Sequence, residues 1–174
     1  MSQTVQGDTM RSIRVGKVVL NIGVGKSGEA IERAKKVLEQ VTGQRPSHTR
    51  AKKSIRDFGV HEGEPIGVLI TLRGPQTTEL VSRLLTAREK RLAQSCFDDR
   101  GSVSFGIKEH IEIPGIRYDP AIGILGMNVS IVLQRPGYRV SRRARRTSRV
   151  GRGHIVNREA AIDYFKTNFG VAVE

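Results

Sequence analysis

The sequence has one cysteine, no tryptophan and few aromatic residues, five Phe and three Tyr among 174 residues. The lone cysteine, Cys96, cannot form a disulfide within the chain and has no partners at metal-ligand spacing, which agrees with a reducing, cytoplasmic setting. No stretch approaches the roughly 18 uninterrupted apolar residues of a membrane span. The polar segment from Met1 to Thr9 also lacks the apolar core of a secretory signal. We therefore expect a cytoplasmic protein with one domain over residues 1–174 and no membrane partner.

Acidic residues are also scarce, and the excess of positive charge is local. The chain has 30 Lys and Arg against 17 Asp and Glu, a net charge of +13. Residues 135–158 contain nine Arg and no Asp or Glu, so this segment carries +9 and the other 150 residues carry +4. The planar guanidinium suits bidentate contact with phosphate, and the segment has no apolar stripe that would enter a lipid interface. A nucleic acid is therefore the expected partner, and a solvated charge run without function is the alternative.

Alternating and helical patterns predict the architecture. The period of two that is typical of half-buried strands occurs in residues 15–22, 66–73, 103–107 and 127–133. Three helices are predicted, one from a Ser27 cap to about Thr42, one that carries Leu80 to Leu92, and one from an Asn157 cap to Gly170. Residues 44–58 are too polar for a core strand and are predicted to form short extended pieces and a loop. This order of elements predicts an α+β fold, with helices on one face of an antiparallel sheet and the other face open.

The predicted open face carries side chains that form hydrogen bonds and could contact phosphate or sugar oxygens. They are Lys17, Asn21, Thr71, Arg73, Asn128 and Ser130. A solvated face without a partner is the alternative. None of the aromatic residues lies in these outward rows, so base stacking on exposed rings is not expected there. Contacts with the backbone, the 2′-hydroxyls and the groove edges of a folded RNA are expected instead.

Residues 23–28 match the pattern GxGxxG between a strand and a helix, where a dinucleotide fingerprint would lie. That fingerprint also needs a parallel second strand and an acidic residue about 20 positions on, whereas residues 47–56 are basic and polar. A phosphate-binding P-loop would need glycine at the position of Leu20. We therefore expect no nucleotide cofactor, and predict that free backbone N–H groups beside Lys26 offer a seat to an RNA phosphate.

The histidines carry no catalytic or metal-binding pattern. His48, His61, His110 and His154 fall in no HExxH motif and no Cys/His cluster. Glu62 and Glu109 each adjoin a histidine, but adjacent side chains point apart on a strand and do not suit an acid–base pair. We expect neither an enzyme nor a metal or other cofactor.

Several long motifs carry a family resemblance. They are KVVLNIGVG (17–25), TGQRPSHTRAKKSIRDFG (42–59), PIGVLITLRG (65–74), FGIKEHIEIPGIRYDP (105–120) and GILGMNVSIVLQRPG (123–137). Together, and in this order over about residues 11–170, they closely resemble ribosomal large-subunit protein five, the universal 5S rRNA-binding family. The segment RPGYRVSRRARR and the closing helix resemble the archaeal and eukaryotic branch.

The resemblance implies a structural protein with a five-stranded antiparallel sheet, seated in the central protuberance of the large ribosomal subunit. The implied partners are 5S rRNA, large-subunit rRNA, P-site tRNA and neighbouring large-subunit ribosomal proteins. By motif position, with Arg73 added from the outward row, the candidate 5S rRNA-binding residues are Lys17, Asn21, Gln44, Thr49, Thr71 and Arg73. The candidate residues for P-site tRNA contact are Arg50, Lys52, Lys53 and Arg56.

Two segments are less fixed by the resemblance. Asp57 departs from the bacterial pattern and is a candidate ion-pair partner for Arg56 or Lys53. The basic arm, residues 135–158, is hypothesised to clamp large-subunit rRNA and to fold fully only on binding, because its like charges repel one another. Its candidate phosphate contacts are Arg135, Arg139, Arg142, Arg143, Arg145, Arg146, Arg149 and Arg152. The alternative for the whole chain is a generic basic nucleic-acid-binding protein without 5S specificity.

Overall fold

The computed structural model describes residues 9–25 and 27–174, and within them it contains seven strands and three α-helices. The strands are β1 (Arg14–Gly23), β2 (Ser47–Arg50), β3 (Pro65–Leu72), β4 (Arg91–Leu92), β5 (Ser102–Ile107), β6 (Met127–Gln134) and β7 (Ala172–Val173). The helices are α1 (Glu29–Thr42), α2 (Gln76–Thr86) and α3 (Arg158–Phe169).

Five of the strands form one antiparallel sheet in the order β2-β3-β1-β6-β5. The central strand, β1, pairs with β3 on one side and with β6 on the other, so that Val18 lies opposite both Leu72 and Ile131. The register between β1 and β6 shifts between Val15 and Lys17, where Gly16 lies under the side chain of Gln134. The two short strands β4 and β7 pair in parallel and form a separate ribbon.

The core lies between one face of this sheet and the helices. Every second residue of the long strands points into it, and Val18, Leu20 and Ile131 are fully buried. The helix α1 contributes a stripe at helical spacing, which comprises Ile31, Ala34, Val37, Leu38 and Val41. Helices α2 and α3 add their own buried residues to the same apolar cluster. The predicted α+β fold, with helices packed on one face of a five-stranded antiparallel sheet, is therefore confirmed.

Two helix ends differ from the sequence prediction. The start of α1 is capped by Gly28 and not by Ser27, and the Ser27 hydroxyl donates a hydrogen bond to the carboxylate of Glu64. The predicted second helix extended to Leu92, but α2 ends at Thr86. Glu89 and Lys90 both adopt left-handed backbone conformations, with φ of 53° and 56°, and these end the helical run.

None of the helices in the described part of the chain is long and apolar enough to cross a membrane.

The aromatic contact between α3 and the sheet layer gives a test of the core. Phe165 is fully buried, and its ring centroid lies 5.8 Å from that of Phe97 and 5.4 Å from that of Phe169. We predict that Phe165→Ala lowers the free energy of unfolding by about 3–5 kcal/mol, because it removes a large buried side chain and leaves a cavity. Urea denaturation measures this change. The control, Tyr118→Ala at a 56% exposed ring, should change stability by less than about 0.5 kcal/mol, and equal losses in both variants would contradict the assignment.

Candidate nucleic-acid interface

The face of the sheet opposite the helices is open, and its side chains align in rows across the strands. One row joins Ser47, Leu69, Asn21, Asn128 and Gly106, one residue from each of the five strands. Directly opposed side chains in such a row lie about 5 Å apart. Asn21, which the sequence places among the candidate RNA-binding residues, therefore lies beside Asn128 at the centre of the open face.

A second row continues the polar surface. It joins Thr71, Val19, Ser130 and Ser104, and the hydroxyl of Ser104 donates to that of Ser130 over 3.1 Å. None of the five strands contains an Asp or a Glu. The open face thus presents hydroxyl and amide groups without a negative charge that would repel phosphate.

The candidate Thr49 also lies on the open face, at the edge strand. It is paired with Gly67, and a Cβ added to Gly67 would lie 2.8 Å from the Thr49 hydroxyl and 2.8 Å from the carbonyl oxygen of Ile22. Because Gly67 has no side chain, the Thr49 hydroxyl can occupy the space beside the backbone of β3. Lys17, Asn21, Thr49 and Thr71 are brought together on one surface.

Gln44 and Arg73 occupy a different place. Both line a cleft of about 290 Å³ together with residues of α1 and α2, among them Thr42 and Arg83. The strand β3 ends at Leu72, so Arg73 lies just beyond the rows of the open face and is exposed. These two candidates share a site with each other and not with the four residues on the strands.

The basic loop, residues 50–64, connects β2 to β3 and is closed at its base by hydrogen bonds. The backbone N–H of Ala51 donates to Glu64, and that of Gly63 donates back to Ala51. The Glu64 carboxylate accepts from the Ser27 hydroxyl and, over 3.0 Å, from the backbone N–H of His61. The hydrogen bond from Ser27, followed by that from His61, lowers the pKa of Glu64 below its ordinary value. The carboxylate therefore joins the base of the loop to the start of α1.

The tip of the basic loop is a small hairpin that exposes both cations and apolar groups. Ile55 and Val60 exchange two backbone hydrogen bonds of 2.9 and 3.2 Å around the turn. All four candidates for tRNA contact, Arg50, Lys52, Lys53 and Arg56, are exposed. The suggested ion pair of Asp57 with Arg56 or Lys53 is absent from the described residues, so that suggestion is wrong. Phe58 at the tip is 72% exposed.

The basic arm folds back on itself and is closed at its neck. The Tyr138 hydroxyl donates to the carbonyl of His154 over 3.3 Å and accepts from the backbone N–H of Val156 over 3.1 Å. The ring of His154 also lies 2.7 Å from the carbonyl oxygen of Pro136 through Nε2. These contacts hold the two ends of the arm together. The hypothesis that the arm folds fully only on RNA binding stays a prediction.

The arginines of the basic arm differ in their exposure and in their hydrogen bonds. The guanidinium of Arg135, at the neck, is half-buried and donates to the carbonyl of Gly153. Arg143 donates to the carbonyl of Arg146, and Arg158 pairs with Asp99 over 3.4 Å. The remaining candidates are exposed, and they are Arg139, Arg142, Arg145, Arg146, Arg149 and Arg152. Arg135 therefore has a role in closing the arm, while the others present their charge to solvent.

Two residues of the glycine motif at residues 23–28 pair with β3, and the phosphate seat at the start of α1 stays a prediction. The sheet is antiparallel, which excludes the dinucleotide fold. The backbone N–H groups of Val24 and Gly25 both donate to the carbonyl of Ile66, so they are not free for phosphate. The first turn of α1 also carries Glu29 and Glu32. Lys26, which was expected beside this seat, lies outside the described residues.

Some interface residues were missed in the sequence. Ser104 and Gly106 of β5 and Ser47 of β2 complete the rows of the open face, although only the alternation of Val103, Phe105 and Ile107 gave a signal for β5. Exposed Phe58 was missed because the sequence analysis considered aromatic residues only on the outward rows of the strands and not in the loops. The expectation for those rows holds, since no aromatic residue lies on them.

Comparison with known families now identifies the chain. Residues 8–61 match the family model described as ribosomal protein L5, and residues 65–170 match a second model, which describes the C-terminus of the same family. The chain belongs to the ribosomal protein L5 family. This is a family of structural ribosomal proteins and not of enzymes, as the sequence predicted.

Full-length archaeal relatives agree with this assignment, and each is named large ribosomal subunit protein uL5. The protein of Pyrobaculum aerophilum is 52% identical, with 98% of this chain and 95% of the relative covered. That of Nitrosopumilus maritimus is 49% identical, with 99% of both chains covered, and that of Sulfurisphaera tokodaii is 47% identical, with 99% and 98% covered. The resemblance to the family, in its archaeal and eukaryotic branch, is confirmed.

The close approach at Gly67 gives a test of the open face. We predict that Gly67→Ala lowers stability by about 1–3 kcal/mol, since the new methyl would overlap the Ile22 carbonyl oxygen and the Thr49 hydroxyl. RNA binding should weaken as Thr49 is displaced. The control is Gly106→Ala on the same face, where the nearest atom, Asn128 Oδ1, lies at an ordinary 3.6 Å. Thermal melts and RNA titrations of both variants should separate them, and identical behaviour would contradict the role of Gly67.

The lowered pKa of Glu64 predicts how the structure of the basic loop responds to pH. Because its folded pKa lies below the unfolded value, its stabilisation is present above the ordinary glutamate pKa and is lost as pH falls through the lowered folded pKa. We predict that hydrogen-exchange protection of the His61 amide falls in that acidic range. In Glu64→Gln, protection should be reduced already at neutral pH and should change little on acidification.

The matched control for this prediction is Glu62→Gln. Glu62 is a nearby exposed carboxylate whose backbone, but not its side chain, forms a hydrogen bond with Ser54. This variant should keep the protection and the pH dependence of the unmodified chain. A Glu64→Gln variant that retains the full acid-induced loss would show that another group controls the loop.

Proposed function

We propose that this large-subunit ribosomal protein binds 5S rRNA with its open sheet face and attaches it in the central protuberance. In the same proposal, the basic loop contacts tRNA in the ribosomal P site, and the basic arm clamps large-subunit rRNA. Membership of the ribosomal protein L5 family supports the coarser role as a structural component of the large subunit.

The observation that carries the proposal is the chemistry of the open face. Its rows offer the amides of Asn21 and Asn128 and the hydroxyls of Thr49, Thr71 and Ser130, while the five strands lack any carboxylate. Neutral donors of this kind suit ribose hydroxyls, phosphate oxygens and the shallow groove edges of folded RNA.

The positions of the basic loop and the basic arm support different roles for the charged segments and for the open face. The pairing of Arg50 with Pro65 and of Gly23 with Gly67 puts the basic loop at one end of β1. The pairing of Arg14 with Gln134 puts the start of the basic arm at the other end. Cations at both ends attract the RNA backbone without regard to sequence, and the hydroxyls and amides of the open face between them supply the contacts that depend on RNA shape.

Competitive binding tests the proposal against the alternative of a generic basic binder. The intact protein is titrated with 5S rRNA and with a folded RNA of similar length at salt concentrations from about 0.1 to 0.4 M, a range over which nonspecific phosphate contacts fade. A preference for 5S rRNA that survives high salt supports the proposal. Parallel loss of binding to both RNAs would favour the generic binder.

Single substitutions should separate the open face from the arm. We predict that Asn21→Ala or Thr71→Ala weakens binding to 5S rRNA by about 1–3 kcal/mol and leaves the salt slope almost unchanged, because each removes a neutral contact. Arg145→Gln in the arm should instead lower the salt slope by about one unit on every RNA, because it removes a phosphate contact. Salt-dependent titrations distinguish the two classes, and equal effects of both on all RNAs would contradict the division.

A further inference from the structure

An apolar cleft lies between the basic loop and the segment that follows β1, and the functions proposed above do not use it. Its volume is about 610 Å³, and its lining includes Val24, Ile55, Phe58, Ile66, Lys52 and Lys53. This volume falls within the range of about 300–1,000 Å³ that is typical of small-molecule sites. The cleft can therefore accept a group of the size of a nucleotide.

Two of its walls are apolar side chains that the fold leaves uncovered. Phe58 is 72% exposed and Ile55 is 45% exposed, and they are two of the five large hydrophobic residues exposed in the described part of the chain. Adjacent exposed apolar groups that border a cleft mark an interaction site more often than a scattered single residue does. A covering partner is therefore expected at this position.

The cleft is preformed by backbone hydrogen bonds. The hairpin pairing of Ile55 with Val60 holds one wall, and Gly59, with φ of 62°, completes the turn that carries Phe58. The donation of Val24 and Gly25 to Ile66 holds the opposite wall. Val24 and Gly25 of the glycine motif thus form part of the wall of this cleft.

The charge at the cleft indicates the chemistry of its occupant. The lining contains the two lysines and no carboxylate, so an occupant with an apolar face and negative charge beside it is favoured. A nucleotide has both, since a base presents a π-face that stacks on aromatic rings and its phosphates pair with ammonium groups. An apolar peptide segment would match the walls but would leave both lysines without an anion.

We propose that this cleft binds one unpaired base of an RNA, stacked on Phe58, with the phosphates on either side of that base at Lys52 and Lys53. The inference rests on the proposed role of the basic loop as an RNA contact and adds the feature that the loop recognises. It also assigns Phe58, which carries no charge, as the residue that distinguishes a displayed base from a bare phosphate backbone.

The test compares two short single-stranded RNAs with the full-length protein. One has a single adenine among otherwise abasic nucleotides, and the other is abasic throughout. We expect the unmodified protein to prefer the RNA with adenine by roughly 5- to 100-fold, the range given by stacking of one base. Phe58→Leu should abolish most of this preference, whereas Lys52→Gln combined with Lys53→Gln should weaken both RNAs alike and keep the ratio.

Two controls make the outcomes distinct. Tyr118→Leu alters the other exposed aromatic residue, at 56% exposure, and should keep the preference. Binding of 5S rRNA by the Phe58→Leu variant should be unchanged, so a failure of the sheet-face proposal is seen separately from a failure of this one. Equal affinity of the unmodified protein for both oligonucleotides would overturn the inference and favour a polypeptide as the occupant of the cleft. A preference that survives Phe58→Leu would also overturn it, because the base would then be recognised elsewhere.

Discussion

The burial of one face of the five-stranded sheet is the constraint on which the rest of the structure depends. Val18, Leu20 and Ile22 of β1 are buried against the helices, so Lys17, Val19 and Asn21 must face the other way. A slip of one residue in any strand pair would expose its apolar set, which fixes the register. The same burial that stabilises the fold therefore decides which polar side chains share the open face.

The open face and the charged segments contribute different kinds of interaction. The strands supply hydroxyls and amides at fixed spacing on a rigid support, and Gly67 allows the Thr49 hydroxyl to lie close to the backbone. The exposed arginines of the basic arm and Lys52, Lys53 and Arg56 of the basic loop lie on connections, where solvent reduces the cost of like charges. The sheet thus fixes the positions of the polar groups, and the loops supply much of the electrostatic attraction for RNA. This arrangement suits a structural protein of the ribosome.

Hydrogen bonds between distant residues help to hold the charged connections in shape. Glu64 joins the basic loop to the start of α1, and Tyr138 with His154 closes the neck of the basic arm. For the basic loop, ordering before binding lowers the entropy that an RNA contact must offset. The loop thereby keeps an apolar cleft open beside its lysines, and the arm keeps its arginines outward.

The sequence by itself determined the alternation of the strands, the three helices, the acid-poor outward rows and the family. Those features follow from local periodicity and from long motifs. Only the tertiary structure decided the strand order that aligns Asn21 with Asn128 and Ser47. The tertiary structure also decided that the Ser27 hydroxyl donates a hydrogen bond to Glu64 and does not cap α1. It likewise decided that Phe58 is exposed beside two lysines. Each of these depends on residues distant in the chain, and local patterns carry no information about which distant groups meet.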